Sequence, residues 1–253
     1  MMAFVEAELV GGVMTITLAD VQGRNSLSGQ LTRELVDALD FADNAPEVRV
    51  VVLTNAGTVF CAGANLSERS SASANTANID PRTLFGRFRH SPKPYVGRIA
   101  GHCVAGGMGL AAAMDISVAV DHAKFGFTEV RVGVVPAMIS VVCLPKMRLA
   151  DAQAAFLRGH RFPAAEAVRM GLINSCVPAD ALDAEVTAIV TDLLAGEPNA
   201  IAVAKQLTAR VPTMKENDAF DWTAELSARL FASDAAREGM TAFLEKRPAS
   251  WVR

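Results

Sequence analysis

Three stretches carry residue types that could do chemistry. Ala105-Gly106-Gly107 lies between an apolar, partly β-branched run, Tyr95 to Ala100, and Leu110 to Met114, a short run of strong helix formers. Strand, glycine turn and helix together point free backbone N–H groups and a positive dipole end into a cleft. Such a corner can hold a phosphate, or the oxygen of an acyl group that turns negative during reaction. Phe60-Cys61-Ala62-Gly63-Ala64 is a second corner, whose successive small residues let backbone approach a ligand. Downstream, Phe125-Gly126-Phe127-Thr128-Glu129 sets one carboxylate in an otherwise apolar neighbourhood. Phe127, Val130 and Val132 are expected to desolvate Glu129 and raise its pKa toward an acid–base range. In the plainer reading Glu129 is a surface glutamate paired with Arg131. An oxyanion corner followed by one carboxylate points to acyl activation.

Other polar residues nearby have plainer expectations. His102 reads as a partly buried, hydrogen-bonded histidine, and Asp115 as a cap or ion-pair partner. Ser140 could bond a substrate or cap a helix, and Asn25 with Ser26 could cap the helix expected from about Ser28 to Asp43.

The elements that must position these groups are legible in outline. Phe4–Leu9 and Val13–Leu18 around Gly11-Gly12 read as a hairpin that starts a sheet, and Glu47–Asn55 reads as a buried strand. Residues 67–79, rich in Ser, Ala and Asn, read as a mobile surface loop bordering an acyl pocket. Asp80-Pro81 reads as a helix start. From Ser140 the pattern is helical, over Ala150–Leu157, Pro163–Met170, Ala181–Leu194 and Asn199–Arg210, with Gly171 as a stop and Val177–Asp180 as a loop. Asn217–Leu244 gives two amphipathic helices with little sheet left to cover, the pattern of a subunit contact.

The bulk numbers bound the class. The chain has 253 residues, 51% hydrophobic and 20% charged, with a net charge of −3. That balance suits a globular protein and argues against nucleic acid as a partner. Cys61, Cys103, Cys143 and Cys176 form no CxxC pair, so buried free thiols in a reducing cytoplasm are expected, with no metal site. A leader peptide and a membrane-length apolar run are both absent from the pattern, so neither export nor a membrane partner is expected. No dinucleotide-binding or Walker spacing competes.

Arg24-Asn25-Ser26-Leu27, Phe60-Cys61-Ala62-Gly63-Ala64-Asn65-Leu66, the block from Ala105 to Pro136 and the tail from Glu238 to Trp251 together resemble the enoyl-CoA hydratase/isomerase (crotonase) superfamily along the whole chain. The resemblance implies an α/β ClpP/crotonase spiral of ββα turns over 1–195, carrying the coenzyme A and acyl site. It implies a C-terminal helical oligomerisation region over 196–253 that builds a homotrimer or homohexamer. It makes the Ala64 and Gly106 N–H groups the two oxyanion donors and Glu129 the retained catalytic carboxylate. It sets Arg24 near a coenzyme A phosphate, the backbone near Ala62 against the adenine, and Phe243 and Lys246 near a neighbouring subunit's coenzyme A. Coenzyme A would enter as part of an acyl-CoA substrate, with no tightly bound cofactor.

One departure is informative. Many hydratases of the superfamily carry a second glutamate where this chain has Gly109, so a two-carboxylate mechanism cannot be written. Together with Val135-Pro136-Ala137-Met138-Ile139-Ser140, this resembles the methylglutaconyl-CoA and isohexenylglutaconyl-CoA hydratase subgroup. The implied substrate is a branched or carboxylated 2-enoyl-CoA. A cation for its second carboxylate would come from Arg87, Arg89, Arg98 or Arg131, which the sequence does not rank. A Δ3-Δ2-enoyl-CoA isomerase using Glu129 alone, and a non-catalytic acyl-CoA-binding homologue, fit the same residues.

Overall fold

The computed structural model describes residues 3–70 and 80–252. In chain order the strands are β1 (Val5–Val10), β2 (Val13–Leu18), β3 (Val50–Asn55), β4 (Val59–Cys61), β5 (Tyr95–Ile99), β6 (His102–Val104), β7 (Ile116–Val120), β8 (Lys124–Gly126), β9 (Phe162–Pro163) and β10 (Ser175–Val177). They form two sheets, ordered β1-β2-β3-β5-β7-β10 and β4-β6-β8-β9. Only the hairpin β1–β2 and the pair β8–β9 run antiparallel; the rest is parallel. The repeating unit is visible in this order. β3, β5 and β7 lie in the large sheet, and each is followed directly by β4, β6 or β8 in the small one before the chain turns into helix. That is the expected spiral of ββα turns.

The helices are α1 (Gly29–Asn44), α2 (Leu66–Ser70), α3 (Arg87–His90, preceded by a wide turn over Arg82–Gly86), α4 (Gly106–Ala113), α5 (Ala137–Cys143), α6 (Leu149–Arg158), α7 (Ala164–Arg169), α8 (Leu182–Ala195), α9 (Pro198–Arg210), α10 (Glu216–Phe231) and α11 (Asp234–Leu244). None among the described residues is long and apolar enough to cross a membrane alone.

Sequence pattern and burial agree where a face is one-sided. β2 alternates, sending Met14, Ile16 and Leu18 into the core. β3 is buried at every position, because helices or the second sheet cover both its faces, and its run Val50-Val51-Val52-Leu53 is accordingly continuous. Half-buried polar ties link these elements. Asp43 accepts from Tyr95 Oη and Ser91 Oγ, both at 2.6 Å, and pairs with Arg87 at 2.8 Å. Asp115 accepts from the Tyr95 N–H and from Lys205 Nζ, each at 2.8 Å, which is the expected ion-pair role and ties α9 to the sheet.

Several expectations are corrected. The helix after the glycine corner begins at Gly106 rather than Leu110, so both glycines lie in its first turn. The α1 cap is Ser28, whose hydroxyl accepts from Leu31 N–H, and Asn25 is instead fully buried, its side chain donating to the Ala56 and Val59 carbonyls. The region after Ser140 is not wholly helical, since β9 and β10 return to the sheets and Val177 closes β10. Of the loop expected over 67–79, residues through Ser70 belong to α2, and 71–79 lie outside the described residues.

Candidate active site

The site is built at the ends of three neighbouring strands. β4, β6 and β8 are adjacent and parallel, with Cys61 paired to Cys103 and Val104 to Gly126. Their C-terminal ends therefore lie together, as ligand-binding loops of parallel sheets commonly do. Past β4 come Ala62, Gly63 and Ala64; past β6, Ala105 and Gly106; past β8, Phe127, Thr128 and Glu129.

Gly63 lets two of these loops touch. Its φ is +84°, and a Cβ there would lie 2.6 Å from Ala105 Cβ and 2.8 Å from Gly106 N, so no side chain fits. The peptide planes then aim the donors. Gly63 O accepts from Leu27 N–H at 2.7 Å, so the trans peptide turns Ala64 N–H the opposite way. Ala105 O accepts from Met108 N–H at 2.9 Å, inside the first turn of α4, so Gly106 N–H points back out of the helix N-terminus. Among the described residues neither N–H has a protein acceptor. Ala105 itself takes φ 49°, ψ −122°, a conformation that strains any residue with a Cβ and turns the chain sharply into α4. The sequence gives no sign of that strain.

A cavity of about 540 Å³ opens over these loops, lined among others by Ala62, Ala64, Ala105 and Glu129. Glu129 starts a short 3-10 turn, Glu129–Val132. Its Oε2 is buried without a hydrogen-bond partner, and burial raises its pKa above the ordinary glutamate value, against a smaller lowering by its own backbone N–H. The apolar surroundings differ from those expected. Phe127 is buried, while Val130 and Val132 are exposed. Arg131 is not its ion-pair partner, because its guanidinium donates to the Gly159 and Arg158 carbonyls at 2.6 and 3.2 Å. Cys143 lies close enough that the Glu129 charge, after burial, pushes its thiol up.

Gly109 lies in α4 with no room for a side chain. A Cβ there would lie 2.3 Å from Ile139 Cγ2 and 2.9 Å from Phe85 Cε1, so hydrocarbon fills the space where the family resemblance expects a second glutamate to begin. Other polar candidates fall away from the chemistry. His102 Nδ1 accepts from Lys124 N–H at 3.1 Å, as a hydrogen-bonded structural histidine. Ser140 neither caps a helix nor lines the cavity, and donates to the Ala137 carbonyl within α5.

Residues 8–253 match the family described as enoyl-CoA hydratase/isomerase. The chain belongs to that family. It is 32% identical to the Mycobacterium tuberculosis enoyl-CoA hydratase EchA19, covering 94% of this chain and 92% of that one. It is 30% identical to a carnitinyl-CoA dehydratase of Salmonella arizonae, covering 95% of each. Its backbone follows the crystal structure of an enoyl-CoA hydratase from Mycobacterium smegmatis with a TM-score of 0.91 at 29% identity, over 98% of each chain.

For this family member, the structure brings Ala62, Ala64 and Glu129 to one cleft, and Gly106 follows Ala105, which lines it. Arg24 stands beside it, exposed, its carbonyl accepting from Ala62 N–H at 3.2 Å. Phe243, 82% exposed, and Lys246 sit at the end of α11 and do not line the cavity. The structure adds His160 and Arg161, which line it immediately after the end of α6. Nothing local in the sequence marks them, because a contact between the loop after α6 and the loop after β8 is purely tertiary.

Proposed function

We propose that the protein is a hydro-lyase that adds water syn across the C2=C3 bond of a branched or carboxylated 2-enoyl-CoA, with Glu129 as its single acid–base group. The observation that carries this reading is one desolvated carboxylate, with a free buried oxygen, in the cleft lined by Ala64 and Ala105, where the loops carrying the acceptor-free Ala64 and Gly106 N–H groups touch. The thioester oxygen accepts from Ala64 and Gly106 N–H, which draws electron density from C3. Glu129 takes a proton from water as the oxygen bonds to C3, and the negative charge moves onto the thioester oxygen. The same carboxyl then returns that proton to C2, so one water is added and the carboxylate is regenerated. A desolvated carboxylate is a stronger base than one in water, which suits the first step. The hydratase and dehydratase relatives support the reaction type, and the filled space at Gly109 supports the single group.

In the same reading the chain assembles as a trimer or hexamer through α10 and α11, with Phe243 and Lys246 beside a neighbour's coenzyme A and Arg24 near a phosphate. The test is turnover of 3-methylglutaconyl-CoA, crotonyl-CoA and a 3-enoyl-CoA by wild type and Glu129→Gln. Hydration of the first two, preferring the carboxylated chain and lost in the variant, is the expected result. Double-bond migration without hydration would make the enzyme an isomerase, and absence of any turnover would make it a binding homologue.

A further inference from the structure

The cavity around Glu129 carries positive charge that has no anionic partner. Of the arginines close in sequence to the expected acyl pocket, three are spent elsewhere. Arg98 donates to Asp183 at 2.7 Å, Arg87 pairs with Asp40 and Asp43 at 2.6 and 2.8 Å, and Arg89 donates to the Ala209 carbonyl. Arg131 lines the cavity instead, and Arg161 and His160 line it beside Arg131. Glu129 is the one acid in that lining, and among the described residues neither Arg131 nor Arg161 forms an ion pair.

Arg131 is held in place without being neutralised. The two carbonyl bonds of Arg131 fix its guanidinium over Gly159 and leave its other N–H groups unspent. A Cβ on Gly159 would lie 3.2 Å from Arg131 Cγ, so the arginine stem rests directly on that backbone. His160 Nδ1 is buried with no hydrogen-bond partner. Burial first, then the charges of Arg158 and Arg131, lowers the His160 pKa, so at neutral pH the ring is neutral and can donate one N–H. Two like charges facing one cavity repel, and an entering anion relieves that repulsion while satisfying the free donors.

We propose that Arg131, Arg161 and His160 form a subsite for an anionic oxygen group of the thioester substrate, either a carboxylate on the acyl chain or a phosphate of coenzyme A. This rests on the acyl-CoA reading of the Glu129 cleft. The subsite then selects substrates that carry the anion in reach of the arginines.

The test compares kcat and KM for four thioesters, crotonyl and glutaconyl groups each on coenzyme A and on pantetheine. The proteins are wild type, Arg161→Gln and Arg131→Gln, with melting temperatures to check folding; Arg161→Gln keeps the experiment decisive if loss of the Arg131 anchor disturbs the loop. Each variant is expected to raise KM roughly three- to tenfold for the thioester bearing the anion, a range set by partly exposed charge-assisted contacts. A fall in the glutaconyl-to-crotonyl ratio of kcat/KM on both carriers assigns the subsite to the acyl carboxylate. A loss shared by both acyl groups on coenzyme A, and smaller on pantetheine, assigns it to a phosphate. Wild-type constants throughout, or one equal loss on all four thioesters, would overturn the proposal. If wild type turns over none of them, the hydratase reading fails by itself. Calorimetric titration with glutaconyl-CoA and crotonyl-pantetheine then judges the subsite, and equal affinities in wild type and Arg161→Gln would overturn it.

Discussion

Gly106→Pro removes one hydrogen-bond donor from the mechanism and puts a ring methylene in the place of its hydrogen. Gly106 is the first residue of α4, where proline is accepted because its ring supplies a helical φ and the N–H it removes has no partner in the helix. The added bulk can be measured on the structure. A Cβ at 106 would lie 2.9 Å from Leu27 Cδ1, the movable end of a side chain, and 3.3 Å from Gly63 Cα, which must give by a few tenths of an ångström. Gly106→Ala introduces the same Cβ and keeps the N–H, so the pair controls for crowding by Cβ and reads loss of the donor together with the ring methylene that replaces it. Crowding of this size costs about 1 kcal/mol, less than tenfold in rate. Loss of one oxyanion donor costs roughly 2.7–4 kcal/mol, about a hundred- to a thousandfold. The assay follows loss of enoyl-thioester absorbance at saturating crotonyl-CoA, with titration of an unreactive acyl-CoA to show that the site still binds. We expect kcat of Gly106→Pro to fall at least a hundredfold below that of Gly106→Ala. Equal kcat in two variants that both bind would remove Gly106 from the reaction.

Two further perturbations probe the strain and the desolvation of the same cleft. Ala105→Gly relieves a conformation that costs roughly 1–3 kcal/mol and gives back about 0.4–1 kcal/mol of chain entropy. Its melting temperature should rise by about 2–4 °C while kcat falls as the turn loosens, and a lower melting temperature would contradict the strain. Glu129→Gln should raise the melting temperature at about pH 8 while abolishing turnover. Burial holds the native Glu129 pKa above its ordinary 4.5, so the folded state keeps a proton that the unfolded chain has released. Stability is therefore lost as pH rises through that window, the deficit is full above it, and it vanishes below about pH 4. The variant lacks the deficit, so its advantage should shrink on acidification; an advantage constant in pH would rule out a desolvated carboxylate.

Where local pattern carries the information, sequence and structure coincide. The hairpin turns at Gly11-Gly12, both at positive φ, and β3 is as buried as its β-branched run requires. The small sheet was not legible, because β4, β6 and β8 have three residues each, too few to display a period of two. Yet that sheet aligns the three functional loops. Glu129 could be picked out as a lone acid among apolar residues, but its desolvation could not be traced. Val130 and Val132 flank it in sequence and face outward, while burial comes from elements brought up by the fold. His160 and Arg161 reach the cavity through the same tertiary packing, and a scan along the chain gives them no mark. Ser28 and Asn25 show the limit for caps, since both are good capping types and only the start of α1 decides which one serves.

Gly109 bears on the mechanism through what surrounds it. In the sequence it is an absence that rules out a two-carboxylate mechanism. In the structure the space is taken, with Ile139 Cγ2 at 2.3 Å and Phe85 Cε1 at 2.9 Å from where a Cβ would begin. Ile139 belongs to α5 and Phe85 to the wide turn before α3, so both side chains would have to shift before a carboxylate could enter. Gly109→Glu alone therefore cannot restore a second acid–base group. In the proposed hydratase reading, one carboxyl then both accepts the proton of water and delivers it to carbon. That task needs an oxygen not already committed to a protein donor, and Glu129 Oε2 meets the requirement.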